Sequence, residues 1–208
     1  MKIHNCEQRS EEWYQARLGK VTASHFSAVM AKGRGGAASK TRLDYMKTLA
    51  NERLTGKRDP DGTYTNRAME NGTLREPDAR DWYEWITGKD VVEVGFVELN
   101  DEVGCSPDGL VDIDGLLEIK CPAYKTHMDY RRDGVFPSEY RPQVQGQMWV
   151  CGRQWCDFVS YYPDLFVNGE DLRLWILRVK RDDSYIEQLA AATAVFLTEL
   201  KELEGKPL

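Results

Sequence analysis

The sequence predicts an α/β protein with a mixed central β-sheet flanked by helices. Three observations carry this reading. Hydrophobic residues recur with helical spacing over the first 90 residues and then alternate at VVEVGFVEL (91–99). Two short apolar runs, GLVDI (109–113) and LLEIK (116–120), flank Asp114-Gly115, a strong short-range hairpin signal. Later strand-like runs at 157–163 and 172–180 follow helical stretches and lead into a long amphipathic helix, so strands and helices interleave.

The elements follow in order. Ser10, ahead of Glu11, Glu12 and Trp13, is a helix N-cap, and Gly19 stops the helix it opens. TASHFSAVMA (22–31) is a second short helix, capped by Thr22 or Ser24. KGRGGAASK (32–40) is a basic, glycine-rich loop. Within 41–56, Leu43, Met46, Leu49, Ala50 and Leu54 fall at helical spacing, and Gly56 ends the run. Residues 57–64 are loop. A helical segment from Asn66 to Thr87 is interrupted near Gly72 and Pro77 and closed by Gly88. Beyond the three strands of 91–120 lie helices near 124–132 and 138–151, strands at 157–163 and 172–180, and a helix at 183–204. The last carries Ile186, Leu189, Val195, Phe196, Leu200 and Leu203. No repeat or low-complexity tract divides the chain, and residues 1–208 are expected to form a single domain.

The 208 residues are 41% hydrophobic and 30% charged, enough to bury a sizeable core. No run is long enough to span a bilayer, and MKIHNCEQRS lacks the apolar stretch of a signal peptide, so the expectation is a cytoplasmic protein without a membrane partner. Five cysteines without a CxxC pair, and three scattered histidines, argue against a disulfide framework, a structural zinc site or an iron–sulfur cluster. The net charge of −6 looks wrong for a nucleic-acid binder, but it is unevenly spread. Residues 1–58 hold 12 Lys/Arg against 5 Asp/Glu, so one part of the surface can meet a polyanion while the rest stays acidic.

The chemistry concentrates in CSPDGLVDIDGLLEIKCP (105–122). Side chains alternate along a strand, so Glu118 and Lys120 share one face while Leu117, Ile119 and Cys121 share the other. Folding about Asp114-Gly115 brings Asp108 back beside Glu118. Two carboxylates without partners repel one another and resist burial. A divalent cation resolves the conflict, and Mg²⁺ favours a few carboxylates together with water and phosphate oxygens. The adjacent lysine can orient or deprotonate a water. This is a layout for metal-assisted phosphodiester hydrolysis. A surface hairpin with a cross-strand charge pair satisfies the same spacing, so spacing alone leaves both readings open. A calcium loop does not fit, because Leu110 and Cys121 stand where ligands belong.

Pro107-Asp108 followed by Glu118-Ile119-Lys120 is a PD-(D/E)xK motif. With SPDGL (106–110), LEIKCP (117–122), QVQGQMWV (143–150) and EWYQARLGKVTASHF (12–26), it resembles the lambda-exonuclease-like alkaline exonucleases of viral recombination systems. The matching words run from about residue 9 to residue 185. The resemblance implies a restriction-endonuclease-like PD-(D/E)xK core. It implies a Mg²⁺-dependent 5′→3′ exonuclease acting on double-stranded DNA ends, with two metal ions and Mn²⁺ as a substitute. Such an enzyme releases mononucleotides, leaves a 3′ single strand, forms a ring-shaped homotrimer and works with a single-strand annealing recombinase in a bacterial cell, encoded by a phage or prophage. Residue by residue, Asp108, Glu118 and the Ile119 carbonyl match metal ligands, Glu76 completes the metal shell, and Lys120 activates water. Gln143 matches an active-site glutamine. Arg17 and Ser24 match residues that hold the 5′ phosphate, and Arg34 a basic loop residue near the DNA. The segments before Glu12 and around 57–65 and 131–138 match least. The alternatives are another endonuclease or resolvase of the same fold, or an inactive DNA-binding module.

Overall fold

Two main sheets and a small two-stranded one, rather than a single sheet, organise the described residues. The computed structural model describes residues 1–33, 35, 39–58 and 67–205, with 67–71 described by backbone alone. In order the elements are β1 (Lys2–His4), α1 (Glu11–Arg17), β2 (Val21–Thr22), α2 (Phe26–Met30), α3 (Lys40–Thr55), α4 (Arg67–Thr87), β3 (Val91–Val92), β4 (Phe96–Asn100), β5 (Val103–Cys105), β6 (Gly109–Val111), β7 (Gly115–Lys120), α5 (Tyr124–Asp133), α6 (Arg141–Cys151), β8 (Trp155–Tyr161), β9 (Phe166–Val167), β10 (Glu170–Asp171), β11 (Leu174–Lys180) and α7 (Asp183–Glu204).

A five-stranded mixed sheet runs β11-β8-β7-β6-β3, and a four-stranded sheet runs β1-β4-β5-β2. In the larger sheet β7 and β8 are parallel, joined by a crossover through α5 and α6, and the other pairs are antiparallel. β7 is covered on both faces. Leu116 joins the larger core cluster with Val144 and Met148 of α6, Leu189 of α7 and Phe26 of α2. Leu117 and Ile119 join a second cluster with Ala79 and Tyr83 of α4. An interior strand of this kind is apolar on both sides, so a charged residue within it needs a dedicated set of partners.

Helix boundaries follow their caps. Ser10, Ser39 and Asp182 each accept a hydrogen bond from a backbone amide in the first turn of α1, α3 and α7. Gly56, Gly134 and Gly152 end α3, α5 and α6 in the left-handed conformation.

Four expectations are corrected. The 91–99 run is split: β3 pairs with β6 in the larger sheet, whereas β4 pairs with β1 and β5 in the smaller one. The segment around Gly72 and Pro77 is one continuous helix. Pro77 lies on the exposed side of α4, and the following turn is pinned by Ala79 and Tyr83, both fully buried. The β6–β7 connection is the three-residue loop 112–114, with the positive φ (+50°) at Asp112. Gly115 is already in β7, and its role is packing, because a Cβ there would come within 2.2 Å of the Trp155 ring. The helix read over 22–31 is instead the end of the two-residue strand β2, a 3-10 turn (23–25) and the five-residue α2, with no side-chain cap from Thr22.

Candidate active site

The hairpin register sets the site. Asp108 precedes β6, and its amide donates to the Leu117 carbonyl (3.2 Å). Its Oδ2 accepts from the Ile119 amide at 2.6 Å. Asp108 is thereby fixed against the middle of β7, beside Glu118. Burial first, then the charges of Glu118 and Glu76, push the Asp108 pKa well above its ordinary value.

Glu118 is 1% exposed and points toward α6. Three donors meet its two oxygens. Lys120 Nζ (2.5 Å) and Gln143 Nε2 (2.6 Å) donate to Oε1, and Gln147 Nε2 (2.7 Å) donates to Oε2. Gln143 and Gln147 stand one turn apart on α6 and so present one face. That helix is seated closely on α2 because position 146 is glycine: a Cβ there would sit 2.1 Å from the Phe26 ring. Burial opposes the charge on Lys120, but Glu118 and Asp108 outweigh it and hold the ammonium above its ordinary pKa. Lys120 Nζ also lies 5.0 Å from the centre of the Tyr140 ring. Ile119 contributes backbone to the site and buries its side chain among the second cluster.

Glu76 comes from α4. That helix is anchored two turns later, where Tyr83 donates to the buried Asp157 (2.8 Å) and Arg178 makes a bidentate pair with the same carboxylate (2.8 and 2.7 Å). Glu76 accepts from Arg9 at both oxygens. One turn on, Arg80 donates to the Asp108 carbonyl (3.3 Å) and pairs with Glu93.

The fit of a divalent cation rests on this charge pattern. Two carboxylates, Glu118 and Glu76, act electrostatically on Asp108, and the all-oxygen chemistry of the three acids suits a hard ion. Among the described residues no three His, Cys, Asp or Glu side chains stand together in ligating geometry. Each acid is turned onto a protein donor: Glu118 onto Lys120 and the glutamines, Glu76 onto Arg9, and Asp108 onto the Ile119 amide. The donor chemistry fits a cation, and binding one requires those side chains to turn.

A second polar cluster lies at the end of α1. Arg17 lies 4.1 Å over the Trp13 ring and donates to Ser106 Oγ (3.1 Å), which also accepts from Trp13 Nε1 (2.8 Å). Burial lowers the Arg17 pKa. Ser24 Oγ is exposed and contacts Thr22 Oγ1 and His25 Nδ1, each at 3.2 Å. His25 is open to solvent at one edge, but its ring lies flat on Tyr45. That burial, followed by the Arg17 charge, lowers its pKa to about 4. Arg17 and Ser24 therefore border one region, through His25. Arg34 lies outside the described residues.

Sequence reasoning missed Gln147, Ser106, Arg80 and Arg9. Gln147 had a signal, the i, i+4 pair in QVQGQ, and Ser106 stands within SPDGL. Arg80 and Arg9 had none, because their partners lie 28 and 67 residues away.

No curated protein matches the chain in sequence. Among solved structures it resembles the alkaline exonuclease LHK-Exo from Laribacter hongkongensis, at 42% identity over 94% of both chains and a TM-score of 0.84. A second structure of that enzyme, in complex with dAMP, matches equally well. A phage-related exonuclease from Haemophilus somnus shares the fold at 16% identity, with a TM-score of 0.64 over 88% of this chain and 94% of that one. The family described as the YqaJ-like viral recombinase domain matches residues 12–154. The chain thus belongs to the YqaJ-like viral recombinase family.

Proposed function

We propose that the chain is a metal-dependent deoxyribonuclease, a 5′→3′ exonuclease that degrades one strand of linear duplex DNA to mononucleotides and leaves a 3′ single strand for recombination by annealing. One observation carries the reading: a fully buried carboxylate, Glu118, accepts hydrogen bonds from Lys120, Gln143 and Gln147 directly beside Asp108. A structural acid has no need of an uncompensated acidic neighbour. The relative is an alkaline exonuclease, and dAMP, held in one of its structures, is a mononucleotide of the kind such an enzyme releases.

In this reading Asp108, Glu118, the Ile119 carbonyl and Glu76 hold Mg²⁺, two ions in all, with Mn²⁺ as a substitute. The bound ion supplies Lewis-acid polarisation of the phosphodiester. Lys120 keeps its proton in the site as it stands and aims it at the reacting oxygens, while Gln143 and Gln147 fix the Glu118 carboxylate. Arg17 and Ser24 take the 5′ phosphate, with Ser106 orienting the Arg17 guanidinium, and Arg34 lies along the DNA. Residues 1–208 act as one nuclease domain, in a homotrimeric ring whose basic N-terminal segments line the channel. The enzyme works with a single-strand annealing protein, in the cytoplasm of a bacterial host, from a phage or prophage gene. Among the described residues no helix is long and apolar enough to cross a membrane.

The test is linear duplex labelled at its 5′ or 3′ ends and incubated with Mg²⁺, with closed circular duplex as control. Early release of the 5′ label as a mononucleotide, with the circle intact, supports the reading. Cleavage of the circle, or no release with any divalent ion, refutes it. Light scattering checks the ring, which requires three times the mass of one chain.

A further inference from the structure

Arg9 is out of place by ordinary backbone rules. Its φ is +72°, a conformation that costs most non-glycine residues about 1 kcal/mol or more. Among the described residues two other non-glycine positions share this sign, Asp112 and Asn168. Both are of the Asp/Asn type, whose short side chain tolerates the left-handed region. Arginine has no such local device, so its surroundings must impose the conformation.

The flanking residues do so. Gln8 Nε2 donates to the carbonyls of Val94 (3.0 Å) and Pro107 (2.9 Å), which ties residue 8 to the strand entrance beside Asp108. Ser10 is fixed on the other side as the N-cap of α1, with its Oγ accepting from Trp13. The chain turns sharply between these two anchors. The turn sends the Arg9 side chain onto Glu76, where Nη2 donates to both oxygens, at 3.2 and 2.9 Å. Glu76 stands on α4 one turn before Arg80, which donates to the Asp108 carbonyl (3.3 Å), so the guanidinium sits at the rim of the acid cluster. Arg9 is 44% exposed and Glu76 22%, so the pair is weak enough to be displaced.

We infer that Arg9 is a built-in counter-cation for Glu76, holding that carboxylate in the metal-free enzyme and competing with a divalent ion for it. Arg9 is thus a positioning residue that sets the ion concentration at which the site loads. The inference rests on the metal reading of the acid cluster given above, and the strained backbone is the feature that spacing alone does not explain. Glycine accepts φ +72° without strain, so Arg9→Gly removes the guanidinium and relaxes the turn together. Arg9→Ala removes the guanidinium and keeps the strain.

The test is titration calorimetry of the full-length protein with Mn²⁺, without DNA, for the wild type, Arg9→Gly, Arg9→Ala and each change in a Glu76→Gln background. Both Arg9 variants should bind Mn²⁺ roughly two- to fivefold more tightly than the wild type, the range that loss of an exposed ion pair allows. In the Glu76→Gln background the gain should vanish, because there is no longer a carboxylate to compete for. Unchanged or weaker binding in both Arg9 variants overturns the inference. So does an equal gain in the Glu76→Gln background, which would make Arg9 a diffuse charge rather than a competitor. If the wild type shows no Mn²⁺ binding, the metal reading of the cluster fails and takes this inference with it. Binding that ignores Arg9 sinks the inference alone.

Discussion

Gln147 offers the sharpest separation between holding the fold and holding the site. Gln147→Leu keeps the bulk of the side chain, so it leaves little cavity beneath α6. It removes the Nε2 donor from Glu118 Oε2, and both residues are 1% exposed, so water cannot replace the bond. A hydrogen bond to a buried charge contributes about 1.5–3 kcal/mol. One offset works the other way. Gln147 Oε1 is buried without a partner, and deleting it recovers part of a desolvation cost of about 1 kcal/mol. The net loss should be about 1–2 kcal/mol. For a chain of this size that lowers Tm by about 2–8 °C. Gln143→Leu should cost less, because Gln143 is half-buried and Lys120 still serves Glu118 Oε1. Thermal unfolding with EDTA present reads the stability, and digestion of linear duplex reads the site, where losing a partner of a ligating carboxylate costs about 10- to 100-fold. A Gln147→Leu protein as stable as the wild type, or one less affected than Gln143→Leu, refutes the account of Glu118.

Asp108→Ala and Glu118→Ala should each abolish hydrolysis in a folded protein, and Lys120→Ala should inactivate while leaving Mn²⁺ binding largely intact; near-normal turnover of Asp108→Ala, with folding checked by circular dichroism, contradicts the two-carboxylate reading. Arg17→Ala should erase the advantage of a 5′ phosphate over a 5′ hydroxyl, a loss of about 1.5–3 kcal/mol in a competition digest; an undiminished preference excludes Arg17 from that role. His25 has a folded pKa of about 4, below its unfolded value of about 6.5, so its contribution is fully present above pH 6.5 and is lost as the pH falls toward 4. Denaturant unfolding between pH 4 and 7 should show a shallower pH slope for His25→Phe than for the wild type, and an identical slope rules out a neutral ring held against Tyr45.

The parts legible in the sequence are those specified locally. α7 spans the expected residues because Asp182 caps it and its apolar residues keep a helical period over the whole length. The Asp108–Glu118–Lys120 group was legible because strand alternation and a hairpin fix it within thirteen residues. β1 and β2 were not, since each is two or three residues long and is defined by a partner far away, as in Lys2 opposite Glu98 and Val21 opposite Val103. The same limit hid the second sheet, and with it the split of 91–99. Asp114-Gly115 misled in a physically instructive way. The glycine is required, but by the Trp155 ring rather than by the turn, and the sequence shows only that a glycine is there.

The same distinction explains how an acid survives inside β7. A strand covered on both faces should exclude Glu118, and the chain keeps it by drawing donors from two elements: Lys120 from the strand itself, Gln143 and Gln147 from α6. These donors differ in kind. Lysine brings charge and can follow the carboxylate as it turns, whereas the amides bring fixed direction from a helix seated against Phe26. Asp108 is treated differently: among the described residues its carboxylate meets one backbone amide, and burial first, then Glu118 and Glu76, raise its pKa. One acid is therefore fully partnered and aimed, while its neighbour has a single donor among the described residues. This places the electrostatic demand at Asp108, within the influence of Glu76, whose own partner is Arg9. In the proposed reading, that is where a cation and a phosphate meet.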